Sequence, residues 1–149
     1  MMHVLGPTLA LAVMLPASVQ AHSSWASGTY VYADLCTEPA TGGLAGRRIT
    51  VRRSPNGDGL VYEAASGSLV TPMRADEVSI DDGTKAIAFS IEGATGHIRF
   101  HGIAGPDGLA GTLTDEAGEH PLRLRRALRS RAHEACRADP IEPETAVPH

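Results

Sequence analysis

The chain has little of what many small exported or metal-binding domains depend on. It contains only two cysteines in 149 residues, Cys36 and Cys136. Their wide separation excludes the paired C-x-x-C arrangement of a zinc ribbon or a thiol redox site. Aromatic residues make up 4% of the chain. This scarcity argues against a large apolar ligand pocket, because such pockets are usually lined by aromatic side chains.

Motifs that would indicate an enzyme are also missing. Ser66 and Ser68 do not lie in the Gly-x-Ser-x-Gly context of a hydrolase nucleophile. Residues 56–59 and 81–83 lack the ligand spacing and final Glu of a calcium loop, so they predict hairpin turns. No pair of carboxylates stands out for acid and base roles, and no cofactor-binding loop is present. We therefore expect a non-catalytic protein without a cofactor.

The N-terminal segment has the features of an export signal. Residues 1–21 carry no Asp, Glu, Lys or Arg, are apolar over residues 4–15, and end in Val19-Gln20-Ala21. This small-x-small ending is the pattern that signal peptidase cleaves, so we interpret residues 1–21 as a signal peptide although no Lys or Arg precedes the apolar run. The run is shorter than the roughly 20 residues that span a bilayer, and no later run is longer. The sequence predicts a periplasmic or secreted protein with no transmembrane segment after signal removal.

The rest of the chain predicts one all-β domain and a tail. Residues 22–138 suffice for a single domain, and residues 139–149 are rich in proline and acidic residues, which predicts disorder. Short apolar segments recur about every 8 to 12 residues between Gly, Pro, Asn and Asp clusters, as in consecutive β-strands. Residues 48–52 and 121–125 alternate apolar and polar side chains. Strands with tight turns and no long crossover favour a small antiparallel up-and-down β-barrel, since closure hides the edges.

The end of the domain predicts a short C-terminal helix. One stripe of that helix carries residues at i, i+4, i+7 and i+8, namely Leu128, Ala132, Ala135 and Cys136. Cys36 lies at the end of the first predicted strand, so a disulfide between Cys36 and Cys136 would fasten the helix to the barrel. An oxidising compartment favours this disulfide over two free thiols.

Several segments resemble a known family of barrels. Three segments look like the closing strands of lipocalin-like domains that are attached to some secreted bacterial hydrolases. They are Ile98-x-Phe100-x-Gly102, then Leu109-Ala110-Gly111-Thr112, then Gly118 followed by Pro121-Leu122-x-Leu124-x-Arg126. Trp25-x-x-Gly28-x-Tyr30 is similar to the Gly-x-Trp opening of lipocalins, with Gly and Trp in the reverse order. The resemblance implies a calycin-type, lipocalin-like barrel. It implies no catalytic residue, because in such fusions the chemistry belongs to a separate hydrolase domain.

One predicted strand carries three polar side chains on a single face. His97, Arg99 and His101 alternate with Ile98 and Phe100. On a helix, an H-x-x-x-H pair can bind a metal, whereas on a strand the two histidines lie about 13 Å apart, too far for one ion. We interpret the three residues as a polar, partly solvated barrel face that can bind an anion.

A copper site at the N-terminus is an alternative hypothesis. Cleavage after Ala21 would make His22 the first residue, and an N-terminal His can chelate copper through its amine and its ring. A second histidine such as His97 or His120 would have to complete the site, and nothing in the sequence fixes that geometry. The sequence predicts no other metal site.

Basic charge is concentrated near the end of the domain. Six arginines lie in the final predicted strand and helix: Arg123, Arg125, Arg126, Arg129, Arg131 and Arg137. We take Arg123, Arg125, Arg129 and Arg131 as a candidate face for an anion or a partner, because Arg pairs bidentately with phosphate and carboxylate. Lipopolysaccharide, anionic headgroups or an acidic protein would fit it. The alternative is a solvated face neutralised by nearby acidic residues. Aromatic residues do not interleave with these arginines, so nucleic acid is not expected.

Together these patterns favour a lipocalin-like binding module for a small ligand or a cell-envelope partner. The alternatives are a copper-binding protein that uses His22 and a structural or inhibitory protein that acts through an outer barrel face. The sequence leaves open the identity of the ligand, the oligomeric state and whether the strands form a closed barrel or a sandwich. It also leaves open which strand faces point inward, because a one-residue bulge exchanges them.

Overall fold

The computed structural model describes residues 25–93, 96–127 and 134–136, and within these ranges the chain is all-β. The strands are β1 (Gly28–Ala33), β2 (Cys36–Thr37), β3 (Leu44–Ala45), β4 (Arg47–Arg53), β5 (Gly59–Ser66), β6 (Leu69–Arg74), β7 (Glu77–Ile80), β8 (Ala86–Gly93), β9 (Gly96–Ala104), β10 (Gly108–Asp115) and β11 (Gly118–Ala127). Tight turns join most of them. Gly57 (φ 117°) and Gly118 (φ 111°) take the left-handed backbone conformation that such turns require.

Nine strands form one antiparallel sheet in the order β6-β5-β4-β1-β11-β10-β9-β8-β7. The sheet is strongly curled and forms a half-barrel. Most neighbours in it are consecutive hairpin strands, as the up-and-down prediction requires. The first strand pairs with both β4 and the last strand, so that Val31 lies opposite Thr50 on one side and Ala127 on the other. The two ends of the meander therefore meet in the middle of the sheet.

Strands β6 and β7, at the two edges of the sheet, are consecutive in the chain and are separated only by Ala75 and Asp76. The Ala75 N–H donates to the Leu60 carbonyl oxygen of β5 at 3.0 Å, and the Asp76 N–H donates to the Ser90 carbonyl oxygen of β8 at 2.9 Å. One extended segment thus contacts β5 through its first half and β8 through its second half.

The concave side of the sheet holds the core. Its buried side chains alternate along the strands and include Tyr32, Ile49, Val51, Leu60, Tyr62, Ile87, Phe89, Ile91, Phe100, Leu109, Leu113, Leu122 and Leu124. Gly102 and Gly111 are paired across β9 and β10, where the Phe100 ring occupies the space of their missing side chains. A Cβ added to Gly102 would lie 2.6 Å from Phe100 Cζ, and one added to Gly111 would lie 2.8 Å from it. The core leaves no room for larger residues at this pair.

A small second sheet carries the disulfide. β2 pairs with β3, and Cys36 is bonded to Cys136 with a Cα–Cα distance of 4.9 Å, which confirms the predicted disulfide. The helix prediction is wrong for Ala135 and Cys136. Ala135 forms a parallel bridge with Thr37, whose N–H donates to the Glu134 carbonyl oxygen at 2.7 Å. This segment is extended because its backbone hydrogen bonds go to β2 rather than to its own preceding turn.

Parts of the sequence predictions fall on residues that the structure does not describe. They are the signal peptide 1–21, residue His22, the predicted helical residues Leu128 and Ala132, and the tail 139–149. Among the described residues, no helix has the length and apolar character needed to cross a membrane.

Candidate functional site

Inward-pointing side chains change from apolar to polar at one end of the half-barrel. Leu122 and Leu124 of β11 are buried, and Arg126 follows two residues later on the same side of the strand. β1 repeats this pattern, because Tyr32 is 1% exposed while Tyr30, two residues nearer the end, is only partly buried. Since β1 pairs with β11, the two strands bring these polar ends together.

The same end of the sheet receives two further residues from loops. Trp25 precedes β1, and Lys85 precedes β8. We define the aromatic mouth as Trp25, Tyr30, Tyr32, Lys85 and Arg126. Together with Ala26, Ala104, Gly105 and Pro106, these residues line an open concavity of about 460 Å³. The mouth therefore combines three aromatic rings with two cationic side chains.

The aromatic rings of the mouth contact one another and the cations. Trp25 and Tyr30 stack, with ring centroids 5.2 Å apart and an interplanar angle of 24°. The Arg126 guanidinium carbon lies 4.9 Å from the Tyr30 centroid. Arg53 and Lys85 lie 5.6 Å and 5.9 Å from the Trp25 centroid. These distances are within the range of cation–π attraction, so the cationic groups are held beside the faces of the aromatic rings.

Hydrogen bonds hold the rim of the mouth in place. Arg53 donates from Nη1 to Asp82 Oδ1 at 2.8 Å and from Nε to Asp58 Oδ1 at 2.9 Å. The hydrogen bond from Arg53 lowers the pKa of Asp82, and the backbone N–H of Trp25 adds to the effect. The Tyr30 hydroxyl donates to the Ala26 carbonyl oxygen at 2.8 Å. Trp25 and Tyr30 are thus positioned before any ligand arrives.

Two further features affect the chemistry of the mouth. Burial raises the pKa of the Tyr32 phenol, and the charge of Arg126 opposes this only in part. The phenol is therefore neutral at pH 7 and can donate a hydrogen bond. Lys85 has φ 61°, a left-handed conformation that is uncommon for a residue with a side chain. Such a backbone persists where its surroundings hold it, and it is often found at functional sites.

The opposite end of the half-barrel is also polar, and its polar side chains contact one another. His120 Nε2 lies 3.0 Å from Asp115 Oδ2, and Arg47 hydrogen-bonds the Tyr62 phenol. Burial alone would raise the pKa of Asp115, but hydrogen bonds from His120 and the Ala117 N–H outweigh it and lower the pKa. The His120 ring and the Arg47 guanidinium at this end thus contact an aspartate and a phenol of the protein.

The predicted polar face at His97, Arg99 and His101 lies on the outer side of β9. With acidic residues of β7, β8 and the segment before β7, it lines an open groove of about 730 Å³. His97 Nδ1 is 2.5 Å from Glu92 Oε1, and Arg99 Nε donates to His97 Nε2. In the described ranges, no group of three His, Cys, Asp or Glu side chains is arranged to hold a metal ion. The groove carries both signs of charge.

The predicted arginine face is described only in half. Arg123 and Arg125 are exposed on the outer side of β11, opposite Ala110 and Gly108 of β10. Arg129 and Arg131 lie outside the described residues. The structure does not join these arginines to His97 or His101.

The aromatic mouth is not among the sites that the sequence predicts. The sequence contains one signal for it, the alternation of residues 121–126. This alternation places Arg126 on the same strand face as Leu122 and Leu124. The pairing of β1 with β11 was the missing information, since it places Tyr30 beside Arg126. Comparison with models of protein families, with curated proteins and with solved structures finds no match to this chain.

Proposed function

We propose that this chain is an exported, lipocalin-like β-barrel that binds a small ligand at the aromatic mouth. Support for the barrel comes from the up-and-down strand order and from the pairing of the first strand with the last. The extended segment that contains β6 and β7 contacts both β5 and β8. If this segment counts as one bent strand, the sheet becomes a ring of eight strands, the number found in lipocalins.

The core argues for a ligand at the mouth rather than deep inside the barrel. Side chains such as Ile49, Leu113 and Phe100, each at most 2% exposed, fill the concave side. Larger barrels leave room for a cavity, whereas an eight-stranded barrel can be filled by its own side chains. The observation that carries the proposal is the concavity of about 460 Å³ at the mouth, a volume within the usual range of small-molecule sites.

The experiment uses Trp25, the only tryptophan in the chain, as a reporter placed in the site itself. The protein is exported through its own leader and examined by native mass spectrometry, then denatured for its covalent mass. The indole N–H resonance of Trp25 is followed while a panel of small aromatic and aliphatic compounds is added. We expect a co-purified molecule or a panel compound to shift this resonance.

A matched pair of variants locates the binding. Trp25→Ala removes a wall of the mouth, whereas Ile103→Ala removes a large apolar side chain that is 59% exposed on the outer face. Because Trp25→Ala lacks the indole reporter, binding to both variants is followed by native mass spectrometry. Binding should be lost in the first variant and retained in the second. If no compound shifts the Trp25 resonance, the proposal is wrong. A copper adduct on a chain that begins at His22 would replace the proposal with the copper hypothesis.

A further inference from the structure

We propose that the mouth binds a carboxylate joined to a flat apolar group, and that Arg126 holds the carboxylate; this inference rests on the proposed function above. Arg53 is paired with both Asp58 and Asp82. Arg126 has no carboxylate within ion-pair distance among the described residues. The mouth thus presents a guanidinium whose charge is not matched by a carboxylate of the described ranges.

The position of Arg126 suits capture of an anion. Arg126 is exposed, but its guanidinium lies against the Tyr30 ring and acts on the neighbouring Tyr32 phenol, so the charge is at the concavity and accessible to a ligand. A guanidinium has five N–H donors in a planar fork, and a ring contact uses none of them. A carboxylate can accept two parallel hydrogen bonds from such a fork. The neutral Tyr32 hydroxyl provides a further donor at the same place.

The walls of the mouth determine the rest of the ligand. Trp25 and Tyr30 are stacked and anchored, and they offer flat apolar surface beside the guanidinium. A planar apolar group buries its surface against such rings, and aromatic pairs prefer stacked or edge-to-face packing. Lys85 adds a second cation at the mouth, held there by a backbone conformation that is unfavourable for lysine. A planar aromatic acid satisfies all of these groups together.

The other polar concavities do not have this character. The outer groove places Glu92 against His97 and includes Asp76 and Glu77 on its walls. At the opposite end of the half-barrel, Asp115 is paired with His120. Arg99 and the stacked rings of Phe89 and Phe100 also line the outer groove, but acidic side chains share that groove with them. Among the described residues that line the mouth, none is acidic.

The test compares 2-naphthoate with its neutral analogue 2-naphthamide, which has the same ring and nearly the same size. Binding is measured by calorimetry and by the Trp25 indole N–H resonance. We expect naphthoate to bind at least about tenfold more tightly than the amide, because a hydrogen bond to a charged group contributes that much. Higher salt should weaken naphthoate binding and leave the amide unchanged.

Variants assign the effect to Arg126. Arg126→Gln should reduce naphthoate affinity to the level of the amide, with amide binding unchanged. Arg125→Gln is the matched control, since it removes the same charge from the adjacent, outward-facing residue and should change affinity less than twofold. Arg126→Lys keeps the charge without the fork and should lose an intermediate amount. Thermal unfolding of each variant checks that the fold is retained.

The outcomes separate this inference from the proposed function. If both compounds shift the Trp25 resonance with equal affinity, or if Arg126→Gln binds naphthoate as the wild type does, the mouth is a binding site and the carboxylate assignment is wrong. If Arg125→Gln weakens binding as much as Arg126→Gln, general charge attraction explains the preference and the assignment to Arg126 is wrong. If neither compound binds, this inference is overturned, and the wider panel decides the proposed function.

Discussion

The Cys36–Cys136 disulfide should be a major source of stability for this domain. It joins residues that are 100 positions apart, so it closes a loop that includes nearly every described strand. In the chain-entropy model, a loop of this length restricts the unfolded chain enough to stabilise the fold by about 4.7 kcal/mol. Domains of this size are stable by only about 5–15 kcal/mol, so the loss of this bond should remove a large share of the total.

Urea unfolding followed by Trp25 fluorescence measures this contribution. The oxidised protein is compared with the reduced protein and with the double variant Cys36→Ser/Cys136→Ser. For a urea m-value of about 2 kcal/mol per molar, the midpoint should fall by roughly 2 M. The reduced protein and the double variant should agree, which would show that loss of the bond matters and that the thiol-to-hydroxyl change does not.

A midpoint that falls by less than about 0.5 M would refute the reasoning. It would mean that the unfolded chain is not much restricted by the bond. Amide exchange at Thr37 and Cys136 provides a second check. The backbone hydrogen bonds between residue 37 and residues 134 and 136 should lose protection when the bond is reduced.

Three further predictions concern the strands and the rim of the mouth. Gly102→Ala should destabilise the fold by about 1–3 kcal/mol in urea unfolding, because a Cβ there overlaps the Ala110 carbonyl oxygen as well as the core. Lys85→Gly should be neutral or should stabilise the fold by up to about 1 kcal/mol in the same assay, since glycine accepts φ 61° without strain. Asp82→Asn should destabilise the fold at pH 7, and its penalty should disappear in acid, because Arg53 lowers the folded-state pKa of Asp82. The stabilisation is present above the ordinary aspartate pKa of about 3.9 and is lost as the pH falls through the lower folded value.

Each of these predictions has a control and a contrary result. Gly59→Ala adds a Cβ that meets no atom within 4 Å, so it should cost much less than Gly102→Ala; equal costs would contradict the packing argument. Lys85→Ala keeps the strained backbone and should be less stable than Lys85→Gly. Asp107→Asn changes a carboxylate outside the Arg53 ion pairs. A penalty for Asp82→Asn that stays constant down to pH 2 would contradict the linkage argument.

Much of the fold followed from local patterns. Ile49, Val51, Leu122 and Leu124 are buried as their alternation predicts, because a strand points successive side chains to opposite faces. The disulfide was predictable from two cysteines in a chain whose N-terminal segment predicts export. The C-terminal helix was wrong at Ala135, since hydrogen bonding to β2 outweighed a helical spacing of apolar residues.

The candidate site was less predictable than the fold. His97 and Arg99 stood out because polar residues shared one strand face, but the hairpin register places Glu92 opposite His97. The register of strand pairing decides which side chains lie opposite one another, and a short sequence window does not contain that register. The sequence groups Arg126 with a basic cluster, although its alternation with the buried Leu122 and Leu124 places it on the inner side of β11.

The sequence by itself determined the all-β class and the hairpin pairs, since these depend on neighbours a few residues apart. Only the tertiary structure decided that β1 pairs with β11. That contact joins chain segments nearly a hundred residues apart, and it forms only when the whole sheet curls so that its apolar side chains share one core. It brings Tyr30 from the start of the domain beside Arg126 from its last strand, and so creates the mouth.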